Sequence, residues 1–123
     1  MTKYKITVKT ADKNDAGTNA NVFITLYGQN GDSGQRKLEG KFERGMKEDF
    51  TIENMDLGDL HCINIRHDNN GKKPGWFLED ITISDKWNFP CNRWLATDED
   101  DHLISRGLAE KRFYRTDSFS SIL

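Results

Sequence analysis

Tyr4-Lys5-Ile6-Thr7-Val8-Lys9 alternates without a break: Tyr4, Ile6 and Val8 are apolar, while Lys5, Thr7 and Lys9 are polar. Successive side chains of an extended strand point to opposite faces, so this stretch buries one face and wets the other. The same period returns at Val22, Ile24 and Leu26, at Phe50 and Ile52, and at Ile63 and Ile65 within 60–65. It continues through Leu78, Ile81 and Ile83 within 76–84, then Trp87, Phe89 and Arg93-Trp94-Leu95, and last through 102–108. Gly28-Gln29-Asn30-Gly31, Gly40, Gly45, Leu57-Gly58-Asp59 and Asn70-Gly71 supply turn chemistry between the runs. No stretch sustains a helical period. About eight short strands with regular turns predict an all-β fold, an eight-stranded antiparallel β-sandwich.

The alternation stops at Glu110, so residues 1–109 read as one domain and residues 110–123 as a C-terminal tail or linker with at most a helical turn. A chain of 123 residues suits one domain with a real core. It is 31% charged with a net charge of −2, which gives a nucleic-acid backbone nothing to hold. No apolar run is long enough to span a membrane, and the N-terminus lacks the apolar segment of a signal peptide. Cys62 and Cys91 show no zinc spacing and read as reduced thiols of a cytoplasmic, monomeric domain.

Two polar loops carry the chemistry. Asp12-Lys13-Asn14-Asp15-Ala16-Gly17-Thr18-Asn19-Ala20-Asn21 and Arg66-His67-Asp68-Asn69-Asn70-Gly71 are rich in oxygen donors, the ligands a hard cation such as Ca²⁺ takes. If strands run up and down, the loops at 11–20, 40–47 and 68–75 fall at one end of the sandwich. Asp15 and Asp68 brought together would repel, and a bound cation would relieve that repulsion. Gly17 allows the backbone to bend, and Asn19 adds a neutral oxygen. The same residues also make ordinary turns, and that reading stands beside the first. An EF-hand is excluded, because Ala16 and Phe23 fall at the fifth and twelfth loop positions and no helices flank them.

Trp76 follows Lys72-Lys73-Pro74-Gly75. A loop-tip Trp beside two lysines suits an anionic membrane interface, and a Trp opening a strand also suits a core. Trp87 and Trp94 read as core or sheet-edge residues. His61, His67 and His102 are scattered, and no nucleophile or phosphate-loop motif occurs. Asp98-Glu99-Asp100-Asp101 reads as a solvated turn. Ser121-Ile122-Leu123 fits a C-terminal ligand of strand-addition domains.

Several of these stretches together resemble PLAT domains, also called lipoxygenase-homology (LH2) domains. The resemblance rests on Tyr4–Thr10, Asp15-Ala16-Gly17-Thr18-Asn19-Ala20-Asn21-Val22, Leu26-Tyr27-Gly28 and Phe42-Glu43-Arg44-Gly45. It continues through His67-Asp68-Asn69-Asn70-Gly71, Pro74-Gly75-Trp76-Phe77-Leu78 and Phe89-Pro90-Cys91-Asn92-Arg93-Trp94-Leu95. The PLAT repeats of lipoxygenase homology domain proteins are nearest in flavour, with polycystin PLAT domains second.

The resemblance implies a C2-like sandwich without catalytic residues, docking on an anionic phospholipid membrane or a membrane protein with help from Ca²⁺. It implies Asp15 and Asp68 as carboxylate ligands and Gly17 and Asn69 as backbone-carbonyl donors. Thr18 and Asn19 fall at a neighbouring site, where Asn19 replaces the more usual Asp. A further site loses its usual Asn-Asp pair to Gly40 and Lys41, although Glu43 remains. One calcium site of modest affinity is therefore expected. Trp76, Lys72 and Lys73 are the expected membrane contacts. The rival readings are a calcium-independent protein-interaction module and the regulatory domain of a larger lipid enzyme.

Overall fold

The computed structural model describes residues 1–114. Its strands are β1 (Thr2–Thr10), β2 (Val22–Gly28), β3 (Gly31–Asp32), β4 (Arg36–Leu38), β5 (Lys47–Asn54), β6 (Leu60–His67), β7 (Trp76–Ile83), β8 (Trp87–Leu95) and β9 (Ser105–Ala109). One sheet has the order β5-β1-β7-β8; the other runs β3-β2-β6-β9, with β4 also on β2. All pairings are antiparallel. β3 pairs the end of β2 and β4 its beginning, so the two act as one interrupted edge strand. Ser33 spans the interruption: its N–H donates to the Leu26 carbonyl and its hydroxyl accepts from the Leu26 N–H, both at 2.9 Å. Counted this way, two four-stranded layers make the expected eight-stranded sandwich.

Alternation does build the core. Tyr4, Ile6 and Val8 of β1 and Val22, Ile24 and Leu26 of β2 are all buried between the sheets. β7 needs one device more. Its register shifts between Leu78 and Asp80, a bulge that sends Glu79 and Asp80 both outward. The bulge re-phases the strand, so Trp76 and Leu78 before it and Ile81 and Ile83 after it all face inward.

Trp76 is consequently fully buried, and its membrane role is corrected. Its ring meets Phe42 edge-on with centroids 5.4 Å apart, and its indole N–H donates to the Thr10 hydroxyl at 2.9 Å. An apolar ring with its polar handle satisfied has no reason to leave the interior. Trp87 is buried as expected. Trp94 is only half-buried, packed edge-on against Phe77 on the outer face.

Contacts run past Ala109. Glu110 is buried, and the helical turn α1 (Lys111–Tyr114) follows it. Arg112 pairs with Glu110 and, at 2.9 Å, with Asp59, fastening the chain to the β5–β6 turn. The Ser121-Ile122-Leu123 ligand lies outside the described residues.

Candidate functional site

The up-and-down path brings the loops at 11–21, 39–46, 68–75 and 96–104 to one end of the sandwich. Hydrogen bonds tie them together. Asn19 and Lys73 exchange two: Asn19 N–H donates to the Lys73 carbonyl at 3.1 Å, and Lys73 N–H to Asn19 Oδ1 at 3.2 Å. The buried Thr18 hydroxyl donates to the Pro74 carbonyl at 2.5 Å and accepts from Ala20 N–H at 3.1 Å. Thr18 N–H donates to the Phe42 carbonyl, which joins the 39–46 loop to the group. Gly17 sits so close to that loop that an added Cβ would lie 3.0 Å from Phe42 O and Arg44 N.

Asp68 organises the second loop. Oδ1 accepts from the N–H groups of Asn21 and Asn70, and Oδ2 from their side-chain amides, at 2.7–3.1 Å. Four donors fill the acceptor positions of the carboxylate. Led by the Asn21 amide, they hold its pKa down from 3.8 to about 2. The neighbouring His67 is fully buried. Its Nδ1 accepts from Asn69 N–H at 3.0 Å, so Nε2 carries the proton and donates to the Leu95 carbonyl at 2.7 Å. Burial pushes the imidazole toward its neutral form.

Between the loops lies an open cleft of about 320 Å³. Asp15, Asn69, Asp98 and Glu99 line it, with Lys72, Lys73 and Trp94 among its other walls. Asp15 and Asn69 both hold left-handed backbone, each at φ 60°, a conformation that Asp and Asn tolerate better than most residues. A second, shallower depression carries Asp15, Gly17, Thr18, Asn19 and Glu43, together with Lys41, Arg44 and Lys73. Lys73 Nζ stands 3.4 Å from Asp15 Oδ1.

The structure therefore brings Asp15 and Asn69 together at the cleft. It sets Asp68 behind them, and it commits Thr18 and Asn19 to holding loops. Among the described residues, no group of three or more His, Cys, Asp or Glu side chains converges in a way that could hold a metal. Chemically, the oxygen-bearing side chains in the lining are of the type Ca²⁺ takes, and Lys72 and Lys73 oppose it. Asp15 is exposed and its one ion pair is a weak surface pair, so its carboxylate is open to a cation.

The fourth loop holds the acidic run expected as a solvated turn, and Asp98 and Glu99 are exposed on it. Asp100 and Asp101 pair with Arg93 and Arg106 at 2.6 Å, which clamps residues 97–103 to the sheet. The clamp leaves Asp98 and Glu99 facing the cleft beside Trp94. Carrying the strand-parity argument one odd strand further would have found this loop.

A two-layer antiparallel sandwich with its chemistry in loops at one end is a C2-like domain. More particularly, the chain belongs to the PLAT/LH2 domain family, whose pattern residues 4–106 match. It is 47% identical over 118 residues to lipoxygenase homology domain-containing protein 1 of Mus musculus, covering 87% of this chain and 6% of that protein. It is 41% identical over 105 residues to polycystin-1-like protein 3 of Mus musculus, covering 77% of this chain and 5% of that one. Among solved structures, a coral 8R-lipoxygenase described as calcium-activated via a C2-like domain superposes with a TM-score of 0.77 at 30% identity. That match covers 89% of this chain and 17% of the lipoxygenase. The chain thus spans a small fraction of each of these relatives.

Proposed function

We propose that this PLAT domain is a non-enzymatic module that docks peripherally on an anionic membrane surface, with Ca²⁺ held at the loop-end cleft. The carrying observation is the cleft: Asp15, Asn69, Asp98 and Glu99, all with oxygen in their side chains, line it together with Lys72 and Lys73. Asp15 and Asn69 would hold the ion, with Asp98 and Glu99 as the nearest further donors. Asp68 keeps the 68–71 turn in place instead of ligating. A bound dication would neutralise the carboxylates and present positive charge to lipid phosphate. With Trp76 in the core, surface contact falls to the lysines and to Leu103, which is 51% exposed on the fourth loop. The calcium activation described for the coral lipoxygenase supports the same reading.

The test is a calcium titration followed by amide NMR, with Asp15→Asn as control, paired with vesicle sedimentation. Saturable shifts confined to residues 12–19, 66–72 and 96–100, absent in the variant, are expected, together with calcium-dependent sedimentation. No shift at millimolar calcium would overturn the calcium role. Calcium-independent capture of a membrane protein by these loops would then become the better reading.

A further inference from the structure

The cleft already has a cation at its edge. Lys73 Nζ stands 3.4 Å from Asp15 Oδ1, and it belongs to the chain. Its backbone is not free to drift. Lys73 N–H and C=O are both bonded to Asn19, and Thr18 grips the carbonyl of the next residue, Pro74. Asn19 and Thr18 lie on the same loop as Asp15, so the ammonium is tethered to the loop that carries its carboxylate. A tethered partner acts at a high effective concentration without any change in its intrinsic affinity. Lys72, the residue before it, lines the same cleft.

We propose that Lys73 is a built-in counter-ion of the Asp15 site, one that competes with Ca²⁺ and is handed to the membrane when Ca²⁺ enters. The inference rests on the calcium-docking reading above and adds its regulation. In the calcium-free protein the ammonium partly neutralises Asp15. A dication at Asp15 repels the ammonium and outcompetes it for the carboxylate. The released side chain is 75% exposed, and it is long enough to turn from the cleft toward an anionic surface. One binding event therefore changes the surface twice: it adds the ion's charge and frees a lysine. Both the repulsion and the surface pair are modest in water, so removing Lys73 should tighten calcium by about three- to tenfold.

The experiment uses Lys73→Met, with Lys73→Arg and Lys3→Met as comparisons, in two readouts on the whole chain. Isothermal titration gives calcium affinity without lipid. Sedimentation with vesicles of equimolar phosphatidylserine and phosphatidylcholine gives the gain in binding that calcium produces. Lys73→Met should bind calcium more tightly yet gain less vesicle binding from it. Lys3→Met should leave calcium affinity within about twofold, because Lys3 is exposed at the start of β1, at the opposite end of the sandwich from the cleft, and a charge that far from the ion is screened; Lys73→Arg should resemble the parent. Calcium binding by Lys73→Met but not by the parent would also support the competition. Equal or weaker calcium affinity in Lys73→Met would overturn the inference while leaving calcium docking intact. Absence of calcium binding in all four proteins would overturn both.

Discussion

Replacing Trp76 by Ala separates a core residue from a membrane anchor. The ring is fully buried, packed edge-on against Phe42, and its N–H is bonded to a Thr10 hydroxyl that is itself 1% exposed. Truncating a buried Trp to Ala costs about 3–5 kcal/mol in lost transfer energy and cavity. Orphaning the Thr10 hydroxyl adds about 1 kcal/mol or more. The sum, about 4–6 kcal/mol, is a large share of the ~5–15 kcal/mol that holds a domain of this kind together. At roughly 4 °C of Tm per kcal/mol, the variant should melt at least ~15 °C lower. Far-ultraviolet circular dichroism with heat and with urea measures this directly. Trp76→Phe keeps most of the packing and loses the hydrogen bond, so it should fall between, about 1–3 kcal/mol below the parent. A Trp76→Ala variant that unfolds within ~1 kcal/mol of the parent while losing vesicle binding would instead mark Trp76 as interfacial.

Thr18→Val removes a buried hydroxyl that joins two loops, and should destabilise the domain by about 1–3 kcal/mol in urea melts. Gly17→Ala should also destabilise, by about 1–3 kcal/mol, because the methyl meets backbone at 3.0 Å that cannot swing aside. The Asp68 carboxyl is depressed in the folded state from 3.8 to about 2, so its stabilisation is present above about pH 4 and fades as pH falls toward 2. Hence the gap in urea midpoint between the parent and Asp68→Asn should be open at pH 5 and close toward pH 2; a constant gap would count against the carboxylate's hydrogen bonds. Glu43→Gln should leave calcium affinity within about twofold, with a calorimetric stoichiometry near one in both proteins; its loss would move the ion to the shallow depression.

Much of this was legible because period two and turn chemistry are local. The sandwich, and the meeting of the 11–20, 40–47 and 68–75 loops, follow from alternation and strand parity alone. Trp76 was harder. Its phase with Leu78 points inward, but Ile81 and Ile83 fall in the opposite phase, and only the bulge after Leu78 reconciles the two. Without it, the adjoining lysines argued for the surface. Asp68 was ambiguous for a different reason. A carboxylate in a turn reads equally as a ligand or an organiser until its partners are known, and Asn21 lies 47 residues away. Asp98 and Glu99 are solvent-facing acids, as a charged turn implies; their place beside the cleft depends on arginines of the flanking strands β8 and β9 that hold the loop, which the turn's own residues do not reveal.

The charges at the loop end also bear on how many cations it can take. Asp15 lines both the cleft and the shallow depression, and one carboxylate neutralised by a dication has little left for a second ion. The depression's other acid, Glu43, shares its walls with Lys41 and Arg44, and Arg44 is paired 2.8 Å from Asp12. A dication there would face Lys41, Arg44 and Lys73; in the cleft it would face Lys72 and Lys73, whose exposed stems can carry their charges away. The cleft gains Asp98 and Glu99 in exchange, on a loop pinned by Arg93 and Arg106. Asn19, with its amide committed to Lys73, supplies no compensating negative charge on either side. The balance favours one ion, in the cleft, held by few charged ligands and opposed by a lysine. If the domain docks through calcium as proposed, that combination would give a modest affinity, one suited to a grip that follows the calcium level.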